Sequence, residues 1–250
     1  MRFAGQVAFI TGGAVGFGRA FGRSLGAQGA AVVVADVDAA AATRTASDFE
    51  AAGHRAMAVR CDVADEAEVE AAVERAIAQF GGIDILVNNA AKHLAKYNQP
   101  FTVLERHEVR SLFDVNVLGV VNCSVACRAS MTERGGGSIV NLSSIAGYLS
   151  TSPYGVSKLA VRGLTIALAQ EFAPDRIRVN AIAPGFMATE AAMAEYTPAM
   201  VDRRVNEIQL VNRLGTMEDV VNALVYLCSD EGSFLTGETI KVCGGWPLSI

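Results

Sequence analysis

The chain has 250 residues, of which 51% are hydrophobic and 19% are charged, and its formal net charge is -5. This length fits one α/β domain that buries a sizeable core. The sequence contains no basic block, which argues against nucleic acid as a partner and favours a small molecule. No run of about eighteen apolar residues occurs, so we expect no membrane-spanning segment and a cytoplasmic location.

The cysteines and histidines show no metal-binding pattern. Five cysteines, at positions 61, 123, 127, 228 and 243, form no C-x-x-C pair, and three histidines are scattered. We therefore predict reduced thiols and no metal site. Cys123 and Cys127 are expected to be buried as small hydrophobic side chains.

Apolar runs rich in β-branched residues alternate along the chain with alanine-rich segments of helical period. The predicted strands are Val7–Ile10, Ala31–Ala35, Ala56–Val59, Ile85–Val87, Ile139–Leu142, Arg178–Ile182 and Thr239–Val242. Strands separated by helices are typical of an open parallel sheet covered on both faces. The sequence thus predicts one α/β domain over residues 1–250, with a Rossmann-like, doubly wound, seven-stranded parallel sheet.

The first predicted strand runs into the glycine-rich sequence TGGAVGFG, which spans Thr11–Gly18. Glycines at positions 12, 16 and 18 permit a tight turn and the close approach of a pyrophosphate to the next helix. The free N–H groups at the start of that helix favour an anion. A plain strand-to-helix turn remains the alternative, because Phe21 occupies the place of the third glycine of G-x-G-x-x-G.

Asp36 closes the second predicted strand, about twenty residues beyond the glycines, where a carboxylate accepts hydrogen bonds from an adenosine ribose. The same carboxylate repels the 2′-phosphate of NADP, and the flanking Val15 and Val37 offer no compensating cation. The pattern favours NAD as the cofactor. A helix cap is the alternative role for Asp36.

The segment 186–213 departs from the regular alternation of strands and helices. It follows the pair Pro184–Gly185 and combines charges with apolar and aromatic side chains, namely Phe186, Met187, Met193, Tyr196 and Met200. An insertion of this composition after a late strand predicts a substrate lid. An ordinary amphipathic helix pair on the surface is the alternative.

The motifs occur in the same order as in the short-chain dehydrogenase/reductase family, which the whole chain resembles. The matching segments are Thr11–Gly18 (TGGAVGFG), Cys61–Val63 (CDV), Asn88–Ala91 (NNAA), Asn116 in FDVNV, Ser144 in NLSS, Tyr154–Lys158 (YGVSK) and Arg178–Thr189 (RVNAIAPGFMAT). The resemblance implies an oxidoreductase that transfers a hydride between NAD and a secondary alcohol or ketone. It also implies four catalytic residues, which are Asn116, Ser144, Tyr154 and Lys158.

The same resemblance implies how the cofactor is held. Asp62 is expected to contact the adenine, Asn89 and Ala90 to line the cleft, and Met187 and Thr189 to hold the nicotinamide carboxamide. The full set of expected cofactor contacts is Gly12, Gly16, Phe17, Gly18, Asp36, Asp62, Val63, Asn89, Ala90, Tyr154, Lys158, Pro184, Gly185, Met187 and Thr189.

Tyr154 and Lys158 are four residues apart, so a helix places them on one face. An adjacent ammonium favours the phenolate, and we therefore expect Lys158 to lower the pKa of Tyr154 below its usual value of about 10. Tyr154 can then exchange a proton with the substrate oxygen while a hydride passes to or from the nicotinamide. Ser144 is expected to donate a hydrogen bond to that oxygen, and Asn116 to hold a water that connects Lys158 to solvent.

Three features depart from the family pattern. Ala91 replaces the glycine of N-N-A-G, and Cys243 replaces the aspartate of the usual terminal D-G-G. The loop between Ser144 and Tyr154 is a few residues shorter than is usual, which leaves Ser143 as the alternative serine and predicts an altered or more open pocket.

The sequence leaves the substrate and the direction of reaction open. A sugar, a hydroxy acid, a cyclic alcohol and a dihydrodiol all remain candidates. Lys92, His93 and Lys96 could meet a substrate carboxylate, although solvated loop charges are the commoner arrangement. An NADPH-dependent carbonyl or 3-oxoacyl reductase and a non-catalytic dinucleotide sensor are the alternative functions. Asp36 argues against the first, and the intact catalytic set argues against the second.

The resemblance also implies assembly into a homodimer or homotetramer. The long helices that follow Phe101 and Pro153 would pack against their copies in a dimer, and the terminal sequence GGWPLSI would join two dimers. The apolar character of the segments 121–127 and 159–169 agrees with this, because it exceeds what one sheet face needs for cover.

Overall fold

Seven parallel strands form one sheet in the computed structural model, which describes residues 1–92, 94–189, 193 and 196–248. The strands are β1 (Val7–Thr11), β2 (Ala31–Asp36), β3 (Ala56–Arg60), β4 (Ile85–Asn88), β5 (Gly137–Leu142), β6 (Ile177–Pro184) and β7 (Thr239–Val242). Their order is β3-β2-β1-β4-β5-β6-β7, so the strand order reverses between β1 and β4. All seven predicted strands are confirmed, and six of them extend by one or more residues beyond the predicted bounds.

Helices connect the strands and cover both faces of the sheet. They are α1 (Gly16–Ala27), α2 (Ala39–Ala51), α3 (Glu66–Phe80), α4 (Leu94–Tyr97), α5 (Arg106–Phe113), α6 (Gly119–Glu133), α7 (Ala146–Leu149), α8 (Pro153–Phe172), α9 (Pro198–Arg203) and α10 (Met217–Cys228). Two π-helical turns, Asp114–Leu118 and Arg204–Ile208, follow α5 and α9. The doubly wound α/β architecture predicted from the alternation is confirmed.

The strands read as continuous apolar runs because both faces of the sheet are buried. In β1, Val7 and Phe9 pack into the cluster that faces α3, α6 and α8, whereas Ala8 and Ile10 pack into the cluster that faces α1 and α10. Phe21 of α1, which stands in place of a third glycine, is fully buried in the second cluster. The position therefore serves helix packing rather than the glycine loop.

All five cysteines are free and buried. Cys123 and Cys127 lie on the face of α6 that packs against the sheet, in agreement with the prediction of small buried side chains. Burial raises the pKa of both thiols, because a thiolate would lose its hydration there. These side chains are therefore packing residues, with little thiolate at neutral pH.

The continuous helical stretch Arg106–Glu133 is long and apolar enough to cross a membrane by length and composition. One such helix is weak evidence for a membrane span, and it does not contradict the expectation that no segment spans a membrane. It includes α5 and α6, and Leu112, Cys123 and Met131 within it are fully buried against the rest of the protein. A core helix of a sheet protein passes the same test, and we interpret the stretch as such a helix.

The carboxyl ends of the strands bring the predicted site residues to one edge of the sheet. Thr11 ends β1 beside Ala35 of β2, and Asn88 ends β4 beside Asn141 of β5. In an open parallel sheet, ligands bind along this edge near the point where the strand order reverses. The fold thus places the glycine loop, Asp36 and the β4 loop around one crevice.

Candidate active site

The glycine loop after β1 requires glycine for steric reasons. Gly12 and Gly16 adopt φ values of +58° and +54°, in the region that favours glycine. A Cβ on Gly12 would lie 2.9 Å from the Cα of Ala90, and one on Gly18 would lie 2.1 Å from the Gly12 carbonyl oxygen. The glycines therefore allow the loop to lie directly on the loop after β4.

Asn89 and Thr11 tie the two loops together. The Asn89 Nδ2 atom donates to the carbonyl oxygens of Thr11 (3.0 Å) and Gly12 (2.9 Å). The Thr11 hydroxyl in turn accepts hydrogen bonds from the backbone N–H groups of Asn89 (3.0 Å) and Ala90 (3.1 Å). The floor of the crevice is thus held rigid by side-chain to backbone hydrogen bonds.

The Asp36 carboxylate is held in one orientation at the end of β2. Its Oδ2 accepts from the Ala14 N–H and its Oδ1 from the Asp38 N–H, both at 3.1 Å. The first turn of α2 is capped by Asp38, which accepts from the Ala41 N–H at 2.9 Å, so Asp36 is not the helix cap. The alternative role that the sequence left open for Asp36, that of a helix cap, is therefore wrong.

No cation compensates Asp36 at the flanking positions. Val15 is 66% exposed and Val37 is 59% exposed, and both border the crevice beside the carboxylate. An exposed apolar side chain offers a 2′-phosphate nothing to bind, and Asp36 repels it. This arrangement suits an unphosphorylated ribose.

The crevice has a cavity volume of about 510 Å³ and is large enough for part of a dinucleotide. Its lining includes several of the predicted cofactor residues, namely Gly12, Asp36, Asp62, Val63, Asn89 and Ala90. The rest of the lining consists of Val15, Val37, Cys61, Ala91, Lys92 and Val115. The residues present therefore fit the adenosine half of the predicted cofactor.

Phe17 is a predicted cofactor residue whose side chain lies elsewhere. Its ring stacks on Phe21 at a centroid distance of 5.9 Å, at the edge of the core cluster under α1. Only its backbone N–H, in the first turn of α1, is available for a phosphate. Val63 is also largely a packing residue, since a Cβ on Gly119 would lie 2.7 Å from its Cγ2 atom.

Helix α8 presents Tyr154 and Lys158 on one face. The helix begins at Pro153 and is capped by Ser152, whose hydroxyl accepts from the Gly155 N–H at 3.2 Å. Lys158 is only 3% exposed, and its Nζ donates to the carbonyl oxygen of Leu142 at 2.6 Å. The same Nζ lies 5.8 Å from the centroid of the Tyr154 ring. No carboxylate within the described ranges pairs with this ammonium.

The expected lowering of the Tyr154 pKa by Lys158 is wrong for this structure. Burial raises the pKa of the partly exposed Tyr154 to about 12, although a hydrogen bond with Ser144 opposes the rise. Burial likewise lowers the pKa of Lys158 from 10.5 to about 8. For both side chains, the loss of hydration outweighs the attraction between phenolate and ammonium. The reason is that the Lys158 ammonium donates to the Leu142 carbonyl rather than to the phenol oxygen.

The two candidate serines have different partners. Ser144 hydrogen-bonds the Tyr154 side chain, and its hydroxyl also accepts from the Ala146 N–H at 3.1 Å. Ser143 is buried, and its hydroxyl donates to the backbone carbonyl of Lys158 at 2.8 Å. The structure thus brings Ser144 to the phenol and uses Ser143 to join β5 to α8.

Asn116 lies within the π-helical turn that follows α5, and it is 1% exposed. Its Nδ2 donates to the Ser157 hydroxyl at 3.1 Å, and its Oδ1 accepts from the Lys92 N–H at 2.8 Å. The Ser157 hydroxyl donates onward to the Tyr154 carbonyl at 2.8 Å. Both ends of the amide are therefore engaged, and Asn116 links the β4 loop to α8.

Ser157 is a residue that sequence reasoning missed. It lies inside the motif YGVSK, one residue before Lys158, and nothing in the spacing of the motif distinguishes it from a surface serine. The structure shows it fully buried between the Asn116 amide and α8.

The segment after β6 borders the same site. The Pro184 carbonyl accepts from the Ile145 N–H at 3.1 Å, next to Ser144. A Cβ on Gly185 would lie 2.7 Å from the Cα of Cys243, so the two chains pass in contact there. Met187 is 4% exposed and pairs with Gly215 in a short parallel bridge, while Thr189 is partly exposed.

The candidate cations of the β4 loop have protein partners where they are described. Lys92 Nζ donates to the Ser111 hydroxyl at 2.6 Å, and Lys96 forms an exposed ion pair with Glu108. His93 lies outside the described residues. Lys92 still borders the crevice, whereas Lys96 is a loop charge.

A crevice for a dinucleotide that lies beside a buried lysine and a partly exposed tyrosine and serine defines a dinucleotide-dependent oxidoreductase. Over residues 12–247 the chain matches a family model described as enoyl-(acyl carrier protein) reductase. It is 42% identical over 243 residues to an uncharacterised oxidoreductase of Mycobacterium tuberculosis, covering 97% of this chain and 98% of that protein. It is 39% identical over 247 residues to the cis-4-hydroxycyclohexanecarboxylate dehydrogenase of Sinomonas cyclohexanicum, covering 98% and 97% respectively.

A solved structure supports the same class of enzyme. A 7α-hydroxysteroid dehydrogenase complexed with NADH and 7-oxo glycochenodeoxycholic acid matches with a TM-score of 0.89 at 32% identity, over 98% of this chain and 95% of that one. The chain belongs to the short-chain dehydrogenase/reductase family. It is an oxidoreductase that transfers a hydride between a nicotinamide cofactor and a small alcohol or ketone. The predicted family and reaction class are confirmed, and the NADH of the solved neighbour agrees with NAD as the predicted cofactor.

Proposed function

We propose that the protein is an NAD-dependent dehydrogenase that oxidises a secondary alcohol. One observation carries the proposal: Ser144 hydrogen-bonds the Tyr154 phenol, and buried Lys158 lies one helical turn away on the same face. This arrangement offers a proton acceptor and a hydrogen-bond donor to one substrate oxygen beside the crevice.

The residues of the crevice would hold the cofactor as follows. The Asp36 carboxylate would accept hydrogen bonds from the adenosine ribose, and the first turn of α1 would face the pyrophosphate. Met187 and Thr189, in the segment that follows β6, would hold the carboxamide. Bound NAD supplies the acceptor for the hydride that leaves the alcohol carbon.

Tyr154 would act as the base that takes the hydroxyl proton of the alcohol. Its pKa of about 12 keeps the phenol protonated at neutral pH, so the phenolate must be favoured by positive charge in the working site. Lys158 is the ammonium available for that role, and Ser144 supplies a hydrogen bond that already opposes the rise. The rate of oxidation should therefore rise toward alkaline pH.

The test is the variant Tyr154→Phe, assayed by reduction of NAD with a panel of secondary alcohols. Turnover should fall by about two to four orders of magnitude, because the proton acceptor is lost. Affinity for NAD, measured by calorimetry, should stay within a few-fold of wild type. Retention of more than about a tenth of the activity, which corresponds to about 1.4 kcal/mol of barrier, would refute the assignment.

The direction and the cofactor separate this proposal from its alternatives. An NADPH-dependent carbonyl or 3-oxoacyl reductase would use the same residues, but the fixed carboxylate of Asp36 beside Val15 and Val37 disfavours NADP. A dinucleotide sensor would bind NAD and turn over neither alcohol nor ketone. Cells generally keep NAD oxidised, which favours alcohol oxidation by an NAD enzyme.

We propose a ring-borne secondary alcohol as the substrate class. The names of the cyclohexanecarboxylate and hydroxysteroid dehydrogenases that the chain resembles both refer to hydroxyl groups on rings. Met187, which follows β6, offers an apolar side chain that suits such a ring. The segment 186–213 remains a proposed lid over this substrate, and residues 190–192 and 194–195 of it lie outside the described residues.

We also propose a homotetramer in the cytoplasm. Apolar side chains are exposed on the surface formed by α6 and α8 and by the turn before α6, namely Leu118, Val125, Leu159 and Ile166, at 43% to 57%. Copies of these helices packed together would remove that surface from water. The terminal segment with Trp246 and Pro247 would join two such dimers.

A further inference from the structure

Three arginines lie in the segment 196–213, and one of them differs from the others in its partners. Arg203 is exposed and lies 3.8 Å from the Glu207 carboxylate, and Arg213 binds Asp219 with two hydrogen bonds of 2.7 and 2.9 Å. Arg204 is partly buried, and its guanidinium has neither an acid nor a hydrogen-bond acceptor among the described residues.

Aromatic rings hold the Arg204 guanidinium in place. Its central carbon lies 3.7 Å from the centroid of the Phe186 ring and 4.9 Å from that of Tyr196. Phe186 in turn stacks on Trp246, with centroids 5.3 Å apart and planes inclined by 16°. Stacking engages the faces of a guanidinium and leaves the N–H donors at its edge unused.

The turn that carries Arg204 is tied to the carboxyl-terminal chain. The Arg204 carbonyl accepts from the Gln209 N–H at 3.0 Å, and Gln209 is 6% exposed. The next two N–H groups, of Leu210 and Val211, donate to the Gly244 carbonyl at 2.8 and 3.0 Å. The guanidinium is therefore preorganised by its neighbours, which lowers the entropic cost of binding a ligand.

The stack is connected along the chain to the segment after β6, where the nicotinamide is expected. Phe186 immediately precedes Met187, which is expected to contact the nicotinamide. It also follows Pro184 by two residues, and the Pro184 carbonyl is bonded to Ile145 beside Ser144. A ligand that reaches Tyr154 with its hydroxyl group and extends toward Phe186 would meet the Arg204 guanidinium. None of the Arg204 nitrogens is a buried donor without a partner, so water reaches the edge of the guanidinium, and a planar carboxylate can replace that water on two donors at once.

We propose that Arg204 binds a carboxylate of the substrate, so that the substrate is a secondary alcohol with an acid group remote from the reacting carbon. This inference rests on the proposed function, since it adds a recognition residue to the same site. Phe186 and Tyr196 orient the guanidinium, and Trp246 supports Phe186 from the opposite face.

Direct binding measurements test the proposal without requiring the enzyme to turn over a substrate. The full-length protein, saturated with NAD, is titrated by calorimetry with cyclohexanecarboxylate and 3-cyclohexylpropionate and with the matching neutral carboxamides. At least one carboxylate should bind wild type at least tenfold more tightly than its carboxamide. Arg204→Met should abolish this preference, and Arg204→Lys should retain part of it, because an ammonium keeps the charge but not the paired donors. Arg203→Met is the matched control and should leave the preference unchanged.

Tryptophan fluorescence locates the bound acid. Trp246 is the single tryptophan of the chain and stacks on Phe186, so the carboxylate should change its emission in wild type but not in Arg204→Met. Trp246→Phe should lose the signal and keep the calorimetric preference. Circular dichroism and NAD affinity equal to wild type verify that the variants are folded.

The outcomes distinguish this proposal from the proposed function. If wild type prefers neither carboxylate over its carboxamide, or if Arg204→Met keeps the preference, Arg204 is a packing residue and the inference is overturned. Tyr154→Phe should retain the preference while it loses turnover. A Tyr154 variant that stayed active would instead refute the catalytic assignment and leave the carboxylate site standing.

Discussion

Replacing Lys158 by methionine should stabilise the fold at neutral pH while it destroys activity. Lys158 is 3% exposed, and no carboxylate among the described residues pairs with its ammonium. The fall of its pKa from 10.5 to about 8 corresponds to a destabilisation of about 3 kcal/mol when the group is charged. Methionine has a similar length and no charge, so it removes this cost. It also leaves the Leu142 carbonyl without its donor, which costs about 1 to 2 kcal/mol.

The effect must depend on pH in a defined direction. Below about pH 8 the lysine is protonated in both folded and unfolded chains, so wild type carries the full cost. Between about pH 8 and pH 10.5, Lys158 keeps its proton in the unfolded chain but loses it in the folded chain. The free energy of unfolding of wild type therefore rises with pH in this range. The variant should be more stable by about 1 to 2 kcal/mol at pH 7 and less stable by a similar amount near pH 10.5.

The assay is urea unfolding followed by circular dichroism, at fixed protein concentration, for wild type and Lys158→Met from pH 7 to 10.5. The difference in free energy between the two proteins matters, since other groups that titrate in this range, including the buried cysteines, cancel in it. A difference that stays constant across this pH range would refute the reasoning. It would show that the folded protein does not hold the ammonium at a cost.

Three further predictions concern the cofactor, the serines and assembly. The double variant Asp36→Ala with Val37→Arg should prefer NADP, whereas wild type should favour NAD by about two orders of magnitude in kcat/KM. Ser144→Ala should move the alkaline limb of the kcat/KM profile for oxidation to higher pH, because its hydrogen bond lowers the pKa of the active-site phenol. Ser143→Ala, measured in parallel, should lower thermal stability and leave that limb in place. Val125→Asp should yield smaller species in light scattering than wild type, and a monomeric wild type at micromolar concentration would contradict the assembly.

The fold was predictable because its signal is repeated along the chain. Each strand is a short β-branched run buried on both faces, and each is separated from the next by a helix, so errors at single ends do not change the topology. The ends themselves were less predictable. β6 continues to Pro184, beyond the predicted end at Ile182, because the ladder to β7 extends to the pair Pro184 and Val242. That ladder is a tertiary contact with no local signal in the sequence.

The residues of the site were predictable where a sequence motif determines the backbone conformation. They were less predictable where the role of a residue depends on which group its side chain contacts. The glycine loop and Asp36 follow from strand ends and close backbone approach. The partners of Ser143 and Ser144 do not, because adjacent residues at the end of a strand point to opposite sides and the sequence does not say which side meets α8. Arg204 gave no signal either, since its partner Phe186 is eighteen residues earlier in the chain.

The charge state of Tyr154 and Lys158 is the part of the site that spacing alone misjudged. Positions one turn apart predict attraction between the two groups, but Lys158 is buried and Tyr154 is partly buried, and loss of hydration penalises the phenolate and the ammonium alike. If Tyr154 loses its proton, the phenolate favours the ammonium of Lys158, and the ammonium favours the phenolate in return. The two groups are therefore expected to titrate as a coupled pair whose apparent pKa values belong to both. Burial therefore disfavours the Tyr154 phenolate and the Lys158 ammonium when either is charged without the other. Ser144 is the hydrogen-bond partner that already favours the phenolate, which a proton transfer from Tyr154 produces.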